Sequence, residues 1–355
     1  MVGFRDLHSE AHLFICEVYL KQKIRNFLIA SSDLIVICIC VWFFLSAATH
    51  GRFVWVSLLN MFAFQVFMAM ILPALVGFFY HVRRLQFALL IALGLFLFTF
   101  GNLFFPGQGS TSPSQAVLSV MTYNMLVYTS DVSAIADVVN NADVGIVFMQ
   151  ETSFAMADLL EQDMKNIYPY QTHFPSDTPA GLSVVSKYPF EVIDYDLGDS
   201  WTGDPILLDV SWNGHTVHVV NFHMDPTSFE VIARLDRAYE VAEMRRQHAS
   251  RLVKFLQTHP EPAILAGDAN DVSLNDPYKL LVNVGLQDAW TEAGFGLGHT
   301  FPGGKKLGNV YIPEWLVRID YIFVTVDWDV LSVKLAGMSN ESDHRAVVAA
   351  LRLRK

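Results

Sequence analysis

The first hundred residues alternate long apolar runs with brief charged punctuation, and the remainder alternates short apolar runs with helical stretches. Residues 53–80 (FVWVSLLNMFAFQVFMAMILPALVGFFY) carry no charge over 28 positions, enough to span a bilayer with tilt, and Pro73 marks a candidate kink. Residues 85–105 form another such run, and residues 27–48 a third, interrupted by Asp33. One run of this kind reads equally well as a buried core helix. Three in series, separated by short basic or polar turns, read as membrane spans. The first run begins late and lacks a small-residue cleavage site, which argues against a cleaved signal peptide. Asp33 lies near the basic end of its helix, so interfacial solvation or pairing with the Arg25-side charge is expected rather than a functional role. Residues 1–26 mix apolar and charged positions and read as a cytoplasmic amphipathic segment or an ordinary extension.

Residues 106–116 (PGQGSTSPSQA) have the composition of a linker. Beyond them, over residues 117–355, the runs VLSVMTYN, DVGIVFMQE, GLSVVSKYP, ILLDVSW, HTVHVVNFH, AILAGDAN, RIDYIFVTV and HRAVVAALRL predict strands. DVSAIADVVNNA, SFAMADLLEQDM and the stretch 229–258 predict helices. The mixture points to a layered domain of strands and helices.

Charge sharpens the division. The amino-terminal flank carries Arg5, Lys21, Lys23 and Arg25, the first loop only Arg52, the second Arg83 and Arg84, and no further Lys or Arg appears until Lys165. The positive-inside rule then places the amino terminus in the cytoplasm and, with three spans, the carboxy-terminal domain outside the plasma (inner) membrane. From Ser110 onward 17 Lys and Arg face 31 Asp and Glu, a net of −14, the reverse of a nonspecific nucleic-acid binder. The three cysteines, Cys16, Cys38 and Cys40, all precede the linker, so the second domain has no Cys-based zinc site.

Candidate chemistry sits at strand ends. Asn124, Glu151 and His223 close three strands; Asp268 and Asn270 follow a fourth at i and i+2; Asp320 opens a fifth, and Asp343 and His344 precede the last. Any one of these alone reads as a cap, a turn former or an ordinary polar residue. Together the carboxylates with Asn124 and Asn270 offer hard oxygen ligands suited to Mg²⁺ or Mn²⁺. Hydrolysis of a phosphodiester needs a cation, a hydrogen-bond donor and a base for water, and all three are represented.

The ordered series MTYN, MQE, GLSVVSKYP, NFHMDP, GDAND, RIDYIF and SDHRAV resembles the motif series of the endonuclease/exonuclease/phosphatase superfamily over residues 117–354. That superfamily includes deoxyribonuclease-I-like nucleases, neutral sphingomyelinases and inositol-polyphosphate phosphatases. The resemblance implies an α+β fold of two packed mixed β-sheets flanked by helices, a four-layer αββα sandwich, here preceded by an all-α transmembrane region of three helices. It also implies Asn124, Glu151 and Asp343 as metal ligands, and His223 as donor to the phosphoryl oxygen. Asp268 and Asn270 would orient water and phosphate, with His344 the general base and Asp320 its orienting partner. Ala269, where a larger apolar residue is commoner, alters packing only. Arg318, Thr300 and His173 are further candidates for substrate contact. The expected activity is a Mg²⁺-dependent phosphodiesterase acting on a phospholipid or sphingolipid head group of the bilayer. An extracytoplasmic nuclease is the alternative within the same chemistry, and a non-catalytic membrane binding module the alternative outside it.

Overall fold

The computed structural model describes residues 3–105, 116–303, 306–307, 310–311 and 316–354; the expected linker, except Ala116, lies outside them. The chain packs as two units, Met1–Leu45 with Ala63–Thr99, and Ser46–Phe62 with Phe100–Lys355.

The amino-terminal region forms helices α1 (Gly3–Thr49), α2 (Val54–Met61), α3 (Ala63–Met68), α4 (Ile71–Phe79) and α5 (Arg83–Phe100). α1 continues unbroken across the boundary expected at residue 27. The segments Ile15–Thr49 and Arg83–Phe104 are each long and apolar enough to cross a membrane. The run expected as one span over 53–80 is instead a sharply bent pair, Val54–Met61 and Ala63–Phe79, which counts as a third span only when taken together. Pro73 is not where the run breaks. It sits in the first turn of α4, where its missing N–H costs no hydrogen bond. Within the first unit Trp42 meets Phe67 edge-on at 5.6 Å, and Phe67 meets Phe96 at the same distance. Asp33 pairs with Arg84 rather than with the Arg25 side: Arg84 Nε and Nη2 donate to its two oxygens at 3.0 and 2.7 Å.

The second unit holds two six-stranded mixed sheets. Its strands are β1 (Leu118–Asn124), β2 (Ile146–Gln150), β3 (Tyr170–Phe174), β4 (Leu182–Ser186), β5 (Phe190–Val192), β6 (Gly203–Trp212) and β7 (His215–His223). After these come β8 (Ala263–Asp268), β9 (Gln287–Asp288), the short hairpin β10 (Lys306–Leu307) and β11 (Val310–Tyr311), β12 (Asp320–Val324), β13 (Trp328–Leu335) and β14 (Val347–Leu353). One sheet runs β13-β14-β1-β2-β4-β3 and the other β5-β6-β7-β8-β12-β9. Helices α6 (Val132–Ala142) and α7 (Phe154–Asp163) cover the first sheet around Met121, Met149, Leu160 and Val185. Helix α8 (Phe229–Ala233) is short; α9 (Leu235–Thr258) and α10 (Asp276–Asn283) cover the second sheet around Val220, Leu252, Leu265 and Phe323, and α11 (Ala289–Ala293) follows β9. The helix expected over 229–258 is therefore two, divided at Arg234, which adopts an extended backbone. All eight strands expected from the apolar runs form, and the two sheets flanked by helices are those the motif series implied.

Between the sheets lies a small polar seam. Gln150 Nε2 donates to Asn221 Oδ1 at 2.6 Å, and Asn221 Nδ2 donates across to the Met149 and Ser183 carbonyls, both at 2.9 Å. These bonds tie the two sheets together directly beneath the strand ends that carry the candidate chemistry.

Candidate active site

Strand register assembles most of the site. β7 runs parallel to β8 with His223 opposite Asp268, and β12 runs antiparallel to β8 with Asp320 opposite Asp268. Three residues far apart in sequence therefore arrive in one row on adjacent strands. Gly267, just before Asp268, lets β7 approach, since a Cβ there would lie 1.9 Å from the Phe222 carbonyl oxygen. In the other sheet β1 ends at Asn124 beside Gln150 of β2. Glu151 follows with φ at 58°, a left-handed backbone that is uncommon for this residue. Asn124 Nδ2 then donates to both Glu151 Oε1 and Asp268 Oδ2 at 3.0 Å, joining the two sheets at their ends.

His344 enters from the loop before β14. Its Nδ1 donates to Asp320 Oδ2 at 2.9 Å, which leaves Nε2 facing Asp268 Oδ2 at 3.8 Å. Ser342 fixes this loop: its hydroxyl donates to the Asn124 carbonyl at 2.7 Å and accepts the His344 backbone N–H at 2.9 Å. The motif SDHRAV contains Ser342, and an Ser two residues before a strand-end residue is a recognisable turn former; its reach to Asn124 is visible only in three dimensions. His223 is oriented from both sides. Because a carbonyl only accepts, Nδ1 carries the proton donated to Pro179 O at 3.1 Å, and Nε2 accepts from Asn270 Nδ2 at 3.1 Å. Neutral His223 thus has no N–H left for a phosphoryl oxygen. The donor role implied for it requires the imidazolium.

The charges are concentrated and buried. Burial, then the neighbouring Asp320 charge, pushes the Asp268 carboxyl up to about 7. Burial opposes the charge on His344, but Asp320 and Asp268 outweigh it and hold its proton well above the usual histidine range. Burial, then the His344 charge, pulls His223 down to about 4. One oxygen of Asp320, Oδ1, is buried without a hydrogen-bond partner. Ligand atoms of Asp268, Asp320 and His344 lie within 4.8 Å of one another, and Asn124 and Glu151 adjoin Asp268. An excess of buried carboxylate oxygens, one of them orphaned, fits a divalent cation with hard oxygen ligands. The compact acidic group is nonetheless Asp268, Asp320 and His344; Asp343, expected as a ligand, is half-buried beside it, with its backbone carbonyl accepting from Gly303.

Three further candidates take other places. Arg318 is buried and forked onto Asp288, with Nη1 and Nη2 donating at 3.0 and 2.7 Å, so its guanidinium is committed to the interior instead of to substrate. Thr300 is also buried; its hydroxyl accepts the backbone N–H groups of Ile319 and Asp320 at 3.2 and 3.3 Å, and so fixes the start of β12. His173 lies on β3, its ring nitrogens at 2.9 Å from Ser183 Oγ and 2.8 Å from Gln171 Oε1.

The comparisons bear on the family and the fold. The model of the Endonuclease/Exonuclease/phosphatase family matches residues 121–344, more than half of the chain. A family protein from Bacteroides vulgatus is 20% identical, with a TM-score of 0.51 over 68% of this chain and 100% of its own. One from Bacteroides thetaiotaomicron is also 20% identical, with a TM-score of 0.50 over the same shares. TDP2 from D. rerio, complexed with a single strand DNA product, is 15% identical with a TM-score of 0.51, covering 67% of this chain and 99% of its own. No curated protein matches. On the family match the chain belongs to the Endonuclease/Exonuclease/phosphatase family, whose members are hydrolases of phosphoesters.

Proposed function

We propose that the protein is a membrane-anchored, metal-dependent phosphodiesterase that hydrolyses a lipid-linked phosphoester, a phospholipid or sphingolipid head group. The observation that carries the hydrolytic reading is the His344–Asp320 pair, with Nε2 turned towards Asp268 inside a row of buried carboxylates. In its neutral form His344 takes the proton of an attacking water at Nε2, and Asp320 stabilises the resulting imidazolium through Nδ1–H. Asp268 and Asn270 orient the water and the phosphate. The water oxygen bonds to phosphorus as the ester bond to the alcohol breaks, and the proton taken by His344 is available to the leaving alcohol; His223, neutral and held by Pro179 and Asn270, fixes the position of Asn270 beside the phosphate. Asn124 and Glu151, with Asp343 nearby, would hold Mg²⁺ or Mn²⁺. When bound, such an ion neutralises phosphoryl charge and offsets the carboxylates that otherwise keep His344 protonated.

The lipid substrate rests on a second observation. The same unit exposes several large apolar side chains: Phe53 and Trp55 are each about three-fifths exposed, and Phe105 and Phe295 are more exposed still. Phe104 meets Phe295 edge-on at 6.1 Å, and the loop onward from Phe295 reaches Phe301, whose ring lies 5.0 Å from that of His344. Exposed aromatic side chains on the hydrolase unit suit a substrate delivered from a bilayer, with the amino terminus cytoplasmic and the hydrolase outside. The nuclease alternative draws on the DNA product in the D. rerio TDP2 structure, whereas the net charge of −14 beyond Ser110 opposes a polyanion. The test compares head-group release from phospholipid and sphingomyelin vesicles with DNA cleavage by the same full-length preparation, at matched Mg²⁺ and low salt. Lipid product with little DNA cleavage supports the proposal; efficient DNA cleavage without lipid product replaces it with the nuclease reading.

A further inference from the structure

α2 is almost wholly apolar (VWVSLLNM), and its two polar side chains, Ser57 and Asn60, are both buried within the catalytic unit. Both bond to Asn275, itself 1% exposed. Asn60 Nδ2 donates to Asn275 Oδ1 at 2.8 Å, and Asn275 Nδ2 donates to Ser57 Oγ at 2.9 Å. The second Asn275 amide hydrogen goes to Asp271 Oδ1. Its donor capacity is thereby used up. Asn275 occupies the position before α10, where an Asn ordinarily caps its own helix, yet it makes no such bond. The capping interaction is given up for the contact with α2. Gly51, at φ 73°, brings the chain before α2 close enough that a Cβ there would lie 2.2 Å from Asn275 Oδ1.

Asp271 connects this contact to the catalytic loop. Its other oxygen lies 3.5 Å from Arg245 Nε, and Arg245 Nη1 donates to the backbone carbonyl of Asn270 and to Thr227 Oγ1 at 2.8 Å. Asn270, at φ 49°, holds His223 through Nδ2. A chain of buried polar contacts thus runs from α2 through Asn275, Asp271 and Arg245 to Asn270. Met61 packs on the other side of the same loop, against Val272, Val317 and Ile319.

We infer that α2, placed in sequence between membrane segments, is a positioning element of the active site, and that Ser57, Asn60 and Asn275 hold the 268–272 loop in its catalytic conformation. The hydrolase is then not a self-sufficient module beginning near residue 117, because its catalytic loop is completed by residues 51–61. This inference rests on the hydrolytic reading for its kinetic arm alone. The experiment uses the full-length protein in lipid nanodiscs with Asn60→Leu, Ser57→Ala and the hydroxyl-keeping Ser57→Thr. Turnover of bis(4-nitrophenyl) phosphate, a small soluble diester, is measured with Mg²⁺, together with hydrogen exchange of the 268–276 amides.

Asn60→Leu and Ser57→Ala should lower kcat by about ten- to a hundredfold, the scale of a small misplacement of reacting groups, with KM changed less than about twofold. Exchange over 268–276 should quicken while β1 and β4 stay protected, and Ser57→Thr should restore both. Unchanged kcat in a hydrolytically active protein, or unchanged exchange in that loop, overturns the inference. So does a uniform loss of protection across both sheets, which would make α2 a general support of the fold. If the wild type hydrolyses no phosphoester, the functional reading fails instead, and loop exchange alone decides whether α2 sets the loop.

Discussion

Replacing Asp320 by Asn tests the catalytic pair at its most exposed assumption. The Asp320 carboxylate accepts the Nδ1–H of His344 at 2.9 Å, and both residues are buried. When His344 takes a proton from water, that bond becomes a charge-assisted one between imidazolium and carboxylate, with a net value of roughly 1.5–3 kcal/mol. Asn supplies a neutral acceptor, so most of that stabilisation goes, which corresponds to about a ten- to a hundredfold fall in kcat. If the amide turns its NH₂ towards Nδ1, the proton moves to Nε2, the base is lost, and the fall approaches about ten-thousandfold. Two effects on stability oppose each other: removing the Asp320 charge relieves its repulsion with Asp268, but also removes the charge that holds the buried His344 imidazolium, so the melt serves to show that the variant is folded. The assay is steady-state hydrolysis of bis(4-nitrophenyl) phosphate with Mg²⁺, alongside a thermal melt of the same protein. A kcat within about threefold of wild type in a folded variant would refute the pairing of Asp320 with a catalytic His344.

Arg318→Met leaves the buried Asp288 charge unpaired at a cost of roughly 3–5 kcal/mol, so a clear drop in melting temperature with little change in KM is expected; a raised KM at unchanged stability would restore Arg318 as a substrate contact. Burial opposes the charge on Asp288, but Arg318 outweighs it and depresses its pKa, so the pair's stability is complete above about pH 4 and lost as pH falls further; acid unfolding of wild type and Asp288→Asn should differ in that range. Chelation should abolish hydrolysis, with Mg²⁺ or Mn²⁺ restoring it and zinc doing so poorly, and Glu151→Ala should lose about a hundredfold or more even at saturating Mg²⁺; activity that survives chelation would remove the metal. Ser112→Cys in a chain lacking the native cysteines should react with an impermeant reagent on intact cells, and protection until lysis would overturn the outward placement of the hydrolase.

The sequence by itself determined the central strands and the polar residues at their ends that are candidates for catalysis. Asn124, His223, Asp268 and Asp320 stand at the ends of apolar runs buried on both faces, where composition changes abruptly and a strand end is legible without coordinates. Within the two large sheets the strands that leave no such mark are β3, β5, β9 and β13, and these are their four edges; the short hairpin β10-β11, outside both sheets, leaves none either. An edge strand is covered on fewer sides, so its residues need not be continuously apolar: β3 reads YQTHF with no buried residue, and β13 alternates around an irregularity between Val330 and Ser332. Tertiary structure alone decided how the polar residues are spent. Arg318 and Thr300 are turned inward by partners thirty and nineteen to twenty residues away, and His223 is given its tautomer by Pro179. Ser57 and Asn60 look in sequence like isolated polar positions in an apolar run; a buried Asn more than two hundred residues later turns them into part of the catalytic unit. Local pattern records which side chains avoid water, whereas a hydrogen-bond partner is a property of the folded chain.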